Sequence, residues 1–121
     1  MLNNKKYETK TVNVSLLKTI LSNEEPINIP DGTAVRMGVV SRGNAEDRII
    51  TVGVFDSNNE IIRTADLKFF EKTSGGNYLD GFMPIDLDGG RQYHVRVTAL
   101  TGTLVDDVTV QALFIIEKPQ K

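Results

Sequence analysis

Cysteine and tryptophan are absent from the 121 residues, and histidine occurs once, as His94. Without cysteine there is no disulfide, no thiolate nucleophile and no cysteine-ligated metal. One histidine leaves no second imidazole for a zinc site or a base-and-relay pair. No stretch approaches the roughly 20 apolar residues that a membrane-spanning helix needs. Lys5 and Lys6 are not followed by the apolar segment of a secretory signal, so the expectation is cytoplasmic synthesis without a signal peptide and no membrane partner. A strongly basic balance is missing too: the net charge is −2 and the pI about 5.4. That argues against nucleic acid as a partner.

What is present fits one folded domain. Hydrophobic residues make up 40% and charged residues 25%, an ordinary globular balance for a chain long enough to bury its own core. Turn signals recur about every eight to twelve residues, as in a β-sandwich or barrel. Between them lie short runs rich in Val, Ile, Thr, Phe and Tyr. Residues 34–41 alternate, with Val35, Met37 and Val39 expected on one face; in 48–55 that face is Ile50, Val52 and Val54. Asp56-Ser57-Asn58-Asn59 reads as a hairpin turn onto 60–64. A shorter strand is expected at 67–70. Residues 82–87 form another, placed at a sheet edge or a bulge because Pro84 cannot donate to a ladder. The clearest alternation runs over 91–100, with Tyr93, Val95, Val97 and Ala99 inward and His94 outward. Residues 108–116 close the domain, and Leu113 and Ile115 on their second face suggest cover on both sides. Residues 15–21 read either as helix or as the end of a strand begun by Val12 and Val14.

Leu87-Asp88-Gly89-Gly90-Arg91-Gln92-Tyr93 resembles the corner between two strands of fibronectin type III and related immunoglobulin-like domains. There a leucine closes one strand, a glycine turn follows, and a tyrosine six residues on packs its ring in the core and bonds back to the turn. The resemblance implies a structural corner made of Leu87, Gly89, Gly90 and Tyr93. It also implies an all-β fold: a single immunoglobulin-like β-sandwich of about seven or eight antiparallel strands, with a jelly roll as the main alternative. The missing tryptophan and cysteine pair exclude an antibody-type domain.

Little of the sequence points to chemistry. His94 alternates outward in mid-strand, no serine sits in a nucleophile turn, and the Gly-rich tips precede no helix. No catalytic residue is assigned, no cofactor is expected, and the protein is not expected to be an enzyme. No metal site is assigned either. Asp86 and Asp88, two apart at a strand end, are the weak calcium candidates; turn chemistry accounts for such aspartates equally well.

The N-terminal region differs in charge from the rest. Residues 1–22 hold Lys5, Lys6, Lys10 and Lys18 against Glu8 alone, while the remainder is net acidic. The expected division is therefore a basic, partly extended arm at 1–25 and a β-sandwich domain at 26–121. Partner-binding candidates in the arm are Lys5, Lys6, Lys10, Leu16, Leu17, Lys18, Ile20 and Leu21. In size and fold the chain resembles the small accessory virion proteins of tailed bacteriophages, such as head decoration, head-fibre and tail proteins. That resemblance implies a non-catalytic assembly module that docks on a protein partner such as a capsid or tail, with virion localisation and homo-oligomerisation as further expectations. The alternative is a carbohydrate- or cell-surface-binding module, with Tyr78 and Phe82 as its ligand loop.

Overall fold

Eight strands form two four-stranded antiparallel sheets in a computed structural model that describes residues 6–43, 49–71, 82–100, 104 and 106–118. They are β1 (Lys6–Leu16), β2 (Ser22–Ile29), β3 (Thr33–Arg42), β4 (Ile50–Asp56), β5 (Asn59–Asp66), β6 (Met83–Asp88), β7 (Arg91–Ala99) and β8 (Val108–Lys118). One sheet runs β1-β8-β3-β6 and the other β2-β7-β4-β5. The expected all-β sandwich of seven or eight antiparallel strands is therefore present.

The strand order decides how that sandwich is connected. β4 pairs with β5, β3 with β6, β2 with β7 and β1 with β8, all antiparallel. The chain thus behaves as one long hairpin, bent at Ser57-Asn58 and rolled so that successive pairs fall in alternate sheets. This is the jelly-roll arrangement rather than the immunoglobulin order. Alternation along the chain cannot distinguish the two, because both present the same inward faces to one core.

The core lies between the sheets. β7 buries Tyr93, Val95, Val97 and Ala99; β4 buries Ile50, Val52 and Val54; β8 buries Val108, Val110, Ala112, Phe114 and Ile116. Each set has the period of two that a half-wet strand requires. β3 departs from it. A register shift between Ala34 and Arg36 moves Val35 off the core face expected for it, and Ala34, Met37 and Val39 face inward. A bulge adds one residue and so reverses the parity on one side of it.

Two further expectations are corrected. Residues 67–69 form a 3-10 turn, not a strand: Asp66 caps it through Lys68 N–H at 3.0 Å, and Leu67 and Phe70 plug the core. The stretch expected as a partly extended arm contributes β1, paired through eleven residues with β8, and the start of β2, paired with β7. Val14 and Leu16 of β1 are fully buried, which is why the strand stays on the sheet. Between β1 and β2 the chain turns tightly, with Leu17 and Ile20 exchanging both backbone hydrogen bonds at 3.1 and 3.0 Å. That turn replaces the helical alternative. β6 is an edge strand, as Pro84 requires.

The corner at β6–β7 locks the rolled hairpin at one pole. The Tyr93 hydroxyl donates to the Asp88 carbonyl at 2.7 Å. Gly89 N–H donates to Gly32 O and Gly90 N–H to Ile29 O, both at 2.8 Å. A Cβ on Gly89 would lie 2.1 Å from Pro30 O, and Gly90 has a φ of 71°. One glycine is needed for close approach and the other for its left-handed backbone. Leu87 is buried beside them.

Candidate functional site

The structure separates the sequence-predicted residues into surface and core. Leu16 is fully buried and is therefore removed as a partner contact. Leu21 is half-buried against the core, and its carbonyl accepts from Ala99 N–H at 2.8 Å. Lys10 lies in β1, 3.5 Å from Glu8, which also takes Lys118 Nζ at 2.8 Å. The hydrogen bond from Lys118, helped by Lys10, holds the Glu8 carboxyl below its ordinary value. Lys6 lies in β1, and Lys5 lies outside the described residues. Leu17, Lys18 and Ile20 stand exposed on the β1–β2 turn, with Lys18 N–H donating to the Asp107 carboxylate at 3.2 Å.

Those exposed apolar residues have company that the sequence reading passed over. Leu100 N–H donates to Ile49 O at 2.9 Å, next to the Ala99–Leu21 bond. The backbone thus gathers Leu17, Ile20, Ile49 and Leu100 at one pole, opposite the Tyr93 corner. They are 44, 50, 54 and 61% exposed. Four large aliphatic side chains left in water at one end form the kind of patch that usually marks an interaction surface. The parity of the strands could have revealed two of them: Ile49 is out of phase with Ile50, Val52 and Val54, and Leu100 with Tyr93 through Ala99.

A second apolar opening lies between edge strands β5 and β6. This groove of about 340 Å³ is lined by Ile61, Phe69, Met83 and Ile85 among others, with Arg63 and Asp86 at its rim. Phe69 and Ile61 are exposed there, and Met83 and Ile85 half-buried.

Of the two residues expected in a ligand loop, Phe82 falls among the described residues. Phe82 is buried, and its ring lies over Gly38, whose added Cβ would sit 2.5 Å from Phe82 Cδ1. It fills the outer face of the β1-β8-β3-β6 sheet instead of offering a stacking platform. Tyr78 lies outside the described residues. The β2-β7-β4-β5 sheet has a polar outer face. Arg96 lies over the Phe55 ring at 4.1 Å and bonds Glu24 at 3.0 Å; Gln92 donates to Asn28 at 3.1 Å. His94 sits on that face between Pro26 and Phe55 in register, its Nδ1 buried without a hydrogen-bond partner.

Asp86 and Asp88 both project from the outer face of β6 and are exposed. Among the described residues no group of three or more His, Cys, Asp or Glu is placed to hold a metal ion. Nor is any polar or charged residue buried among them. Desolvated, pKa-shifted groups in a cleft are the usual mark of a catalytic centre, and here the described groups with shifted values are two surface carboxylates, Glu8 and Glu60, and the corner tyrosine Tyr93. Glu60 is held low by the backbone N–H and hydroxyl of Thr64, and Tyr93 is raised by burial. No helix among the described residues is long and apolar enough to cross a membrane.

No protein-family model matches the sequence, and no curated protein matches it. In structure, the chain is similar to a chain of the cyanophage Pam1 capsid asymmetric unit. The TM-score is 0.58 and the identity 16%, over 98% of this chain and 89% of that one. It is also similar to the pre-peptidase C-terminal domain of collagenase from Bacillus anthracis, with a TM-score of 0.50 and 15% identity over 88% of each chain. At these identities the likeness is one of fold.

Proposed function

We propose that this protein is a non-catalytic assembly module that docks on a bacteriophage particle, as a capsid-associated or tail-associated accessory protein. The observation that carries the docking role is the pole of exposed aliphatic side chains Leu17, Ile20, Ile49 and Leu100. The fold likeness to a chain of a cyanophage capsid supports the choice of assembly. Lys18, exposed on the same turn, supplies a positive charge at the rim of the patch. Phe82, one of the two aromatic residues of the carbohydrate-binding alternative, is buried, which favours the assembly reading over it.

Particles purified on a density gradient from lysates that express the protein provide the test. The wild-type chain is expected to co-migrate with them, and a chain carrying Ile20→Glu and Leu100→Glu to remain in the soluble fraction. Both substitutions fall on exposed positions, so unchanged thermal unfolding would show that folding is intact. Absence of the wild-type chain from every particle fraction, or equal incorporation of the variant, would refute the proposal.

A further inference from the structure

Four strands form the edges of the two sheets, β1 and β6 in one and β2 and β5 in the other. An open edge offers unpaired N–H and C=O groups to another strand, and proteins usually block such edges. Three of the four carry a block. β6 is six residues long and contains Pro84; β2 contains Pro26. β5 is bulged, with register shifts against β4, and the Glu60 carboxylate takes Thr64 N–H at 2.9 Å and its hydroxyl at 2.7 Å.

β1 has neither proline nor bulge, and along its first half the charged residues Glu8 and Lys10 are the features that a partner strand would have to match. It is eleven residues long, free of proline and glycine, and in unbroken register with β8. Among the described residues only its end is occupied, where Asn23 Nδ2 donates to Ser15 O at 3.0 Å from β2. The open stretch is therefore the first part of the strand.

We infer that β1 pairs with β1 of a second copy of this chain, antiparallel about a two-fold axis at Thr9, joining two sheets into one of eight strands. The order of charges selects both the occupant and the register. Centred on Thr9, Glu8 of each copy stands opposite Lys10 of the other, Tyr7 opposite Thr11, and Lys6 opposite Val12. Centred one residue either way, the strand would set Lys10 against Lys10 or Glu8 against Glu8, and like charges directly opposed destabilise a sheet. Centred on Thr9, the described residues that overlap are 6–12, clear of the Ser15 carbonyl that Asn23 occupies. An isologous contact of this kind closes at two copies, whereas pairing β1 with the acidic β6 edge of another copy would propagate into a chain or ring. The overlap is short, and the dimer is accordingly weak, in the micromolar range or above.

Charge exchange tests this directly. Sedimentation equilibrium from about 10 µM to 1 mM should show the wild-type chain, of 13.4 kDa, associating to twice that mass. Glu8→Lys alone and Lys10→Glu alone should each weaken association about tenfold or more, because each sets two like-charged pairs face to face. An equimolar mixture of the two variants should recover the dimer. One chain then carries lysine at both positions and the other glutamate at both, so every facing pair is of opposite charge. Far-UV circular dichroism of each variant checks that the sandwich is intact. A wild-type chain that stays monomeric over the whole range, single variants that still dimerise, or a mixture that fails to recover would each overturn the inference.

Discussion

Replacing Tyr93 by phenylalanine removes one hydroxyl and nothing else from the corner that closes the rolled hairpin. That hydroxyl donates to Asp88 O at 2.7 Å, while the ring is buried and stays so in the variant. Asp88 is exposed, so water can reach the abandoned carbonyl. The cost is therefore that of one neutral hydrogen bond, about 1 kcal/mol, rather than the larger penalty of an orphaned buried acceptor. For a domain of this size the melting temperature should fall by about 4 °C. Denaturant titration should show a lower midpoint with an unchanged slope, because the folded surface is unaltered. A second readout reports the buried state of the hydroxyl itself. Burial raises the Tyr93 hydroxyl above its ordinary value of 10.0, with Arg91 opposing and Asp88 and Asp56 reinforcing the shift. A raised value means that the folded state holds the proton more tightly. The contribution is fully present below about pH 10 and is lost as pH rises through the folded-state value. Wild type should lose stability over that alkaline range more steeply than Tyr93→Phe. Identical alkaline limbs, together with a cost below about 0.3 kcal/mol, would refute the corner's role.

Other expectations follow from close contacts. Gly89→Ala places a Cβ 2.1 Å from Pro30 O and 2.5 Å from Gly32 O, both backbone atoms that cannot swing aside. It should cost about 2–3 kcal/mol by denaturant titration. Phe82→Ala should cost about 3 kcal/mol, and Gly38→Ala should destabilise the wild type by displacing the Phe82 ring. In the Phe82→Ala background the same Gly38→Ala change should become neutral or stabilising, a coupling of at least about 1 kcal/mol in a double-mutant cycle. Ser57, at the apex of the rolled hairpin, has a φ of 59°. Ser57→Gly should raise stability by about 0.5–1 kcal/mol, and a fall in the melting temperature would contradict this.

Much of the fold was legible because most strands have one dry face. Ile50, Val52 and Val54, and Tyr93 through Ala99, announce themselves by period two, and Pro84 correctly marks an edge. β2 was missed for the reason that lets it be an edge. Its sequence SNEEPINI buries only Ile27 and Ile29 and precedes them with Glu24, Glu25 and Pro26. The basic N-terminal composition concealed β1, where alternate positions carry Glu8 and Lys10 before the pattern turns to Val12, Val14 and Leu16. The jelly-roll order depends on which strands meet across the whole chain, and no local pattern encodes that. Val35 went astray through a single bulge. At the candidate site, Leu17 and Ile20 stood among the partner-binding candidates because they are apolar residues in a basic segment. Ile49 and Leu100 were legible only as residues out of phase with well-patterned strands, and only the fold brings all four together.

The docking pole is most directly tested by photo-crosslinking from within it. A benzophenone side chain at Leu100 should capture a structural protein of the purified particle, while the same group at Ser57, at the opposite pole, should capture none. Crosslinks from Ser57 but not from Leu100, or from neither position on particles that retain the chain, would contradict the account.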